Sequence, residues 1–126
     1  MRKVAYLTFF LLLIPISCSV WADWIKISEN DKASFYIDAD TVRKDGYVRK
    51  FWIMHDLKAK EKGVFSRRAR MEIDCNKERS RYLSFTSHSG SMNTGEILFS
   101  SSEATEWLDV PPRTADSMFL VFACKQ

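Results

Sequence analysis

The chain has 126 residues, 46% of them hydrophobic and 28% charged; that balance excludes a disordered chain, and the length leaves too little material for two separate cores. Its formal charge of +3 is concentrated at the N-terminus: taking Arg2 and Lys3 from the 19 basic residues leaves 17 against 16 acidic ones, a net of about +1. A domain so nearly neutral has no broad basis for salt-dependent phosphate binding, so nucleic acid is excluded as a partner.

Arg2 and Lys3 precede an almost uninterrupted apolar run over residues 4–16, and small residues follow up to Val20-Trp21-Ala22. Basic, apolar and small-residue segments in that order make residues 1–22 a secretory signal peptide. The apolar run of about 13 residues is too short for the roughly 20 needed to span a membrane as a helix, so no transmembrane segment is expected after cleavage. Two exits compete. Valine and alanine at positions 20 and 22 suit cleavage before Asp23 and a soluble periplasmic or secreted product. Ile16-Ser17-Cys18 offers a lipoprotein box instead, which would anchor the protein to the outer membrane through Cys18, although Pro15 stands where such boxes carry leucine.

Residues 23–126 read as one domain. Trp24-Ile25-Lys26-Ile27-Ser28 alternates as a first strand, and Asn30-Asp31-Lys32 turns into a second at Ser34-Phe35-Tyr36-Ile37. Residues 38–43 are polar and read as a loop or a single helical turn. Asp45-Gly46 supplies turn chemistry before a β-rich run over residues 47–55. Residues 64–75 separate into two faces: Phe65, Ala69, Met71, Ile73 and Cys75 on the apolar one, and Ser66, Arg68, Arg70, Glu72 and Asp74 toward water. Arg67 is the charged exception on the apolar side. Further strands are expected at residues 81–86, with Leu83 and Phe85 on one face, and at 96–100, with a mobile polar loop over 87–95 between them. After Pro111-Pro112 the period changes. Thr114 is a natural N-cap and Asp116 suits the helix dipole, which predicts a helix over residues 115–124 with Leu120, Val121 and Cys124 along one stripe, widened by Met118 and Phe122.

Short turns between successive strands imply an antiparallel sheet. The fold class is therefore α+β: a single sheet of about five or six strands with a C-terminal helix packed on one face. Cys75 and Cys124 both face the core, and export places them where disulfides persist, so they are expected to pair rather than stay as two buried thiols. A closed loop of about 50 residues constrains the unfolded chain by roughly 4 kcal/mol. No metal or other cofactor is expected, since two lone cysteines and the distant His55 and His88 lack ligand spacing.

Several marks recur in order: Trp24 just after the signal, Tyr36-Ile37-Asp38-Ala39-Asp40-Thr41-Val42-Arg43, Phe51-Trp52, Glu72-Ile73-Asp74-Cys75 followed by Arg79 and Arg81, Trp107 before Pro111-Pro112, and Ala123-Cys124. As an ordered set they resemble the surface-adhesin protein E-like family. The resemblance implies an antiparallel sheet with a C-terminal helix held to one face by a disulfide. It also implies surface binding, because the family's namesake is an outer-membrane lipoprotein that adheres to host matrix and serum proteins.

Candidate binding residues are Lys58, Lys60, Lys62, Arg67, Arg68 and Arg70, a basic run of heparin-binding type that would take a polyanion or an acidic extracellular protein. Its competing reading is a solvated hairpin face that discourages edge pairing. Trp52 and Trp107, with Tyr47 and Tyr82, are either recognition aromatics or core. His88 among Ser87, Ser89 and Ser91 is the only trace of acid–base chemistry, without a nucleophile elbow or triad spacing. The expected function is a non-enzymatic binding module of the bacterial envelope. The alternatives are a small periplasmic enzyme or enzyme regulator using the His88 loop, and an envelope protein that assembles with itself, for instance as a homodimer.

Overall fold

The computed structural model describes residues 14–16 and 23–126. Apart from residues 14–16, the expected signal lies outside the described residues, and so does Cys18. Six strands cross one antiparallel sheet in chain order: β1 (Trp24–Glu29), β2 (Ala33–Asp45), β3 (Val48–Glu61), β4 (Val64–Asp74), β5 (Arg79–His88) and β6 (Ile97–Ser101). A two-residue strand, β7 (Leu108–Asp109), pairs with the start of β5, and α1 (Ala115–Cys124), the one α-helix among the described residues, closes the chain. Among the described residues no helix is long and apolar enough to cross a membrane.

Tight turns set the registers. Between Glu61 and Val64, which pair directly, both loop residues take positive φ, Lys62 at 49° and Gly63 at 82°. That combination matches the right-handed twist of the strands it joins. The β4–β5 turn is held by Asp74, whose Oδ1 accepts from the amides of Asn76 and Lys77, each at 3.0 Å.

The expected loop at residues 38–43 is instead strand. β2 continues through it, with a break in register between Asp38 and Arg43. Thr41 makes this possible: its hydroxyl donates to the carbonyl of Asp38 at 2.6 Å and accepts from the amide of Trp52 at 3.0 Å, replacing ladder bonds that the bulge forfeits. A polar side chain thus repairs the backbone of a strand that its composition hides.

One side of the sheet carries the core. Ile37, Phe51, Ile53, Ala69, Met71 and Ile73 are buried there against Phe119 and Ala123 of α1. The helix begins at Thr114, whose Oγ1 accepts from the amide of Ser117 while the Thr114 amide donates to Ser117 Oγ, a reciprocal cap. It ends covalently, in the Cys75–Cys124 disulfide, with Cα atoms 5.8 Å apart. The buried stripe differs from the expected one: Phe119 and Ala123 are fully enclosed, whereas Val121 and Met118 are 46% and 44% exposed. The disulfide fixes the rotation of the helix, and with Cys124 held at β4, Phe119 and Ala123 turn inward.

The water-facing side of β4 is also partly covered. Ser66 and Glu72 are buried, contrary to expectation. Ser66 lies under residues 89–95, part of the expected polar loop, which form a hydrogen-bonded turn with a short 3-10 segment (Ser91–Asn93). Its hydroxyl donates to the Gly90 carbonyl at 2.7 Å and accepts from the Asn93 amide at 2.9 Å, while Asp56 Oδ1 accepts from the Met92 amide at 2.8 Å.

Phe119→Ala should cost about 3–5 kcal/mol, as expected when a fully buried ring leaves a cavity, and Val121→Ala on the exposed side of the same helix should stay within about 0.5 kcal/mol. Urea unfolding of the two variants measures both; comparable losses would place the buried stripe elsewhere.

Candidate functional site

Residues paired across strands share a face, so the register assigns each candidate side chain to one side of the sheet. Arg67 pairs with His55, and Ala69 with Ile53 and Phe85, on the helix side. Arg68 pairs with Met54 and Thr86, Arg70 with Trp52 and Ser84, and Glu72 with Lys50 and Arg81, on the outer side.

The basic run at residues 58–70 is therefore not one patch. Lys58 is held by Glu29 at 2.7 Å, and Glu29 is shared with Lys26. Hydrogen bonds and charge from these two lysines draw the Glu29 carboxyl down to about 2. Lys60 and Lys62 sit exposed at the β3–β4 tip. Arg67 turns to the helix side, and only Arg68 and Arg70 lie together on the outer face.

There they meet the tryptophans. The Arg68 guanidinium stacks over the Trp52 ring, 4.2 Å from its centroid, and Arg81 stacks over Trp107 at 4.6 Å. Both rings are half-buried rather than core. Arg81 Nε also donates to Glu72 Oε2 at 3.0 Å, which accounts for the buried carboxylate. Stacking uses the flat face of a guanidinium and leaves N–H donors in its plane free to take a carboxylate or sulfate. Arg81 escaped the sequence reading as a site residue because its partner Trp107 is 26 positions away; only their order in the chain, Arg81 and then Trp107, hinted at it.

On the opposite side of the sheet, beside α1, His55, Arg67, Ala69, Tyr82 and Phe85 line a largely apolar cleft of about 290 Å³. A bulge in β5 lets Tyr82 pair with Met71 and Phe85 with Ala69, so it is Tyr82, and not the expected Leu83, that shares the cleft side with Phe85. The His55 ring packs edge-on to Phe35 at 4.9 Å and parallel to Phe119 at 6.4 Å. Burial first, and the Arg67 charge second, push its pKa down to about 4. Burial raises the pKa of Tyr82, helped by Asp116, whose Oδ1 accepts the phenol hydrogen bond at 3.5 Å. Burial also raises the carboxyl of Asp116, against the opposing effect of that bond.

His88 sits at the end of β5, buried, with Nε2 2.8 Å from the Thr86 hydroxyl and, among the described residues, no carboxylate bonded to it. Burial and then Arg68 lower its pKa. Among the described residues no three His, Cys, Asp or Glu side chains gather as metal ligands.

Compared with known proteins, the chain matches the family model of surface-adhesin protein E over residues 24–125. It superposes on protein E of Haemophilus influenzae in crystal form II with a TM-score of 0.64 at 15% identity, covering 84% of this chain and 90% of that one. Its selenomethionine form gives 0.63 at 14% identity, over 84% and 88%. Protein E from a non-typeable H. influenzae gives 0.56 at 14%, over 86% and 79%. At these identities the likeness is one of fold. No curated protein matches the chain in sequence.

The unfolded chain takes up a proton on His55 near pH 6.5 and the folded one only near 4, so folding stability falls as pH drops through that window, by up to about 3 kcal/mol. His55→Gln should flatten the slope between pH 7 and 4.5 in urea titrations; unchanged slopes would mean the imidazole titrates equally in both states.

Proposed function

The chain belongs to the surface-adhesin protein E family, and from that membership we propose that it is an exported binding module without enzymatic activity, which takes an extracellular protein or polyanion on the outer face of its sheet. The observation that carries this reading is the strip of Trp52, Arg68, Arg70, Arg81 and Trp107. Tryptophan and arginine supply most hot-spot energy at protein interfaces. Here two of the guanidinium groups are already parked on rings, so less side-chain freedom is lost on binding than from free arginines. The lysines at 58, 60 and 62 contribute less, one tied to Glu29 and two at a hairpin tip. His88, with a hydroxyl partner and no bonded carboxylate, offers no oriented base and so favours a binding role over catalysis.

Joint replacement Arg68→Ala and Arg70→Ala should weaken binding to heparin or to a responsive host-matrix protein at least tenfold, about 1.4 kcal/mol, with a smaller salt dependence. Replacing Lys60 and Lys62 together should change it far less. Surface plasmon resonance at two salt concentrations measures both; binding indifferent to the arginines sinks the outer-face reading.

For export, the reading is signal cleavage before Asp23 and a soluble product, supported by Val20 and Ala22 at the small-residue positions and by Pro15 in the rival lipoprotein box. Intact-mass spectrometry of protein recovered from the envelope should give the mass of residues 23–126 less two hydrogens for the disulfide. A diacylated or triacylated mass beginning at Cys18 would establish an outer-membrane anchor instead.

A further inference from the structure

We propose that the cleft beside the helix binds small amphipathic carboxylates, an aryl ring or short alkyl chain ending in a single anionic group, at a site separate from the outer face. The argument begins with Arg67. Of the three arginines at 67, 68 and 70, it alone is carried by the register to the helix side, opposite His55. It is partly buried among Ala69, Tyr82, Phe85 and His55. Among the described residues no carboxylate or carbonyl bonds to it. A guanidinium against apolar walls with no counterion is costly, and packing alone is served better by an apolar side chain.

The groups around Arg67 leave it without an internal partner. From β3 comes His55, neutral at physiological pH and with Nε2 buried and unpartnered. From β5 comes Tyr82, whose hydroxyl is committed to Asp116. From α1 comes Asp116, which accepts the Tyr82 hydrogen bond, lies outside the residues that line the cleft and has its carboxyl pKa raised by burial. The residues that line the cleft therefore include one cation, Arg67, and no carboxylate, which calls for one negative charge in return.

The rest of its surface specifies the body of the ligand. Phe85 is braced from behind by Phe99, their rings stacked at 5.5 Å, and Tyr82 and Ala69 complete an apolar wall. About 290 Å³ lies at the small end of ligand clefts, roughly 300–1,000 Å³, which fits a single ring or a short chain and excludes large polycyclic ligands.

Three probes of one shape, 4-phenylbutyrate, 4-phenylbutanol and 4-phenylbutylamine, separate charge from greasiness. Isothermal titration of the native protein should give the acid at least a tenfold tighter Kd than the alcohol, with the amine weaker still. In ¹H–¹³C spectra the acid should shift the ring signals of His55 and Phe85, leave Trp52 and Trp107 unmoved, and raise the apparent pKa of His55 by offsetting the Arg67 charge. Arg67→Leu should erase the preference for the acid and keep the affinity for the alcohol. Equal affinities of acid and alcohol for the native protein, undetectable binding of the acid, or shifts confined to the tryptophan face would each overturn the proposal without any variant. Undiminished binding of the acid to Arg67→Leu would overturn it as well.

Discussion

The fixed seat of one short helix on one face of the sheet governs everything else in this molecule. Ten residues of helix are marginal in isolation. α1 is held at its start by the Thr114–Ser117 cap, in its middle by Phe119 sunk among Ile37, Phe51, Ile53 and Met71, and at its end by the bond from Cys124 to Cys75. A loop of that span contributes about 4 kcal/mol in the chain-entropy account, a large share of a small domain's stability. A helix about 10 Å wide cannot roof a six-strand sheet that spans roughly 24 Å at 4.8 Å per strand spacing. It lies toward β1 and β2, so the helix-side surface over β3 to β5 stays open at the end away from the disulfide. The cleft around Arg67 is the part of the apolar face that the helix does not reach.

Among the described residues the outer face carries no α-helix, and it solves its exposure differently. Met54, fully buried there, cannot be shielded by a second layer. Trp52 and the turn at residues 89–95 cover that side, and arginine stems and guanidinium planes lie over the indole rings. Such stacking hides apolar surface under groups that keep their hydration at the edge. Under the proposed function, structural need and recognition coincide: the side chains that shield this face are also the ones proposed to hold an anion. In the same way, Glu72 is both the buried anchor of Arg81 and the reason that residue lies flat on Trp107.

Much of the fold could be read from the residues, and what could not has physical causes. β4 declared its two faces because alternation survives wherever one side is buried, and Arg67 stood out as the exception on the apolar side, where the structure puts it. The Cys75–Cys124 bond followed from export and from two matching faces. The bulges did not show: a break in register at Asp38 to Arg43 and another before Ser84 move side chains between faces without altering composition, so a polar stretch of β2 looked like a loop and Tyr82 looked unrelated to Phe85. The inward turn of Phe119 was equally hidden, because an almost wholly apolar helix has no polar side from which to infer its rotation. Pairings across distant segments, Arg81 with Trp107 and Ser66 with Gly90, leave no local trace.

Charge in this domain acts locally, and the near-zero net charge of residues 23–126 conceals it. At physiological ionic strength, fields from exposed groups fade over about 8 Å, so an approaching ligand senses a patch and not a sum. Near the β1 edge, Lys26 and Lys58 spend their charge on Glu29, an exposed arrangement that salt weakens. Among the described residues, no such acid is bonded to Arg68 or Arg70 on the outer face, or to Arg67 on the helix side. The two unspent positive regions lie on opposite sides of a sheet one backbone thick, separated by strand alternation alone. Shifting β4 by one residue against its neighbours would exchange them, sending Arg67 outward and driving Arg68 and Arg70 into the core. The packing of Met71 and Ile73 under Phe119 forbids that slip, so the same contacts that stabilise the helix also keep a broad basic strip and a half-buried cation on their separate faces.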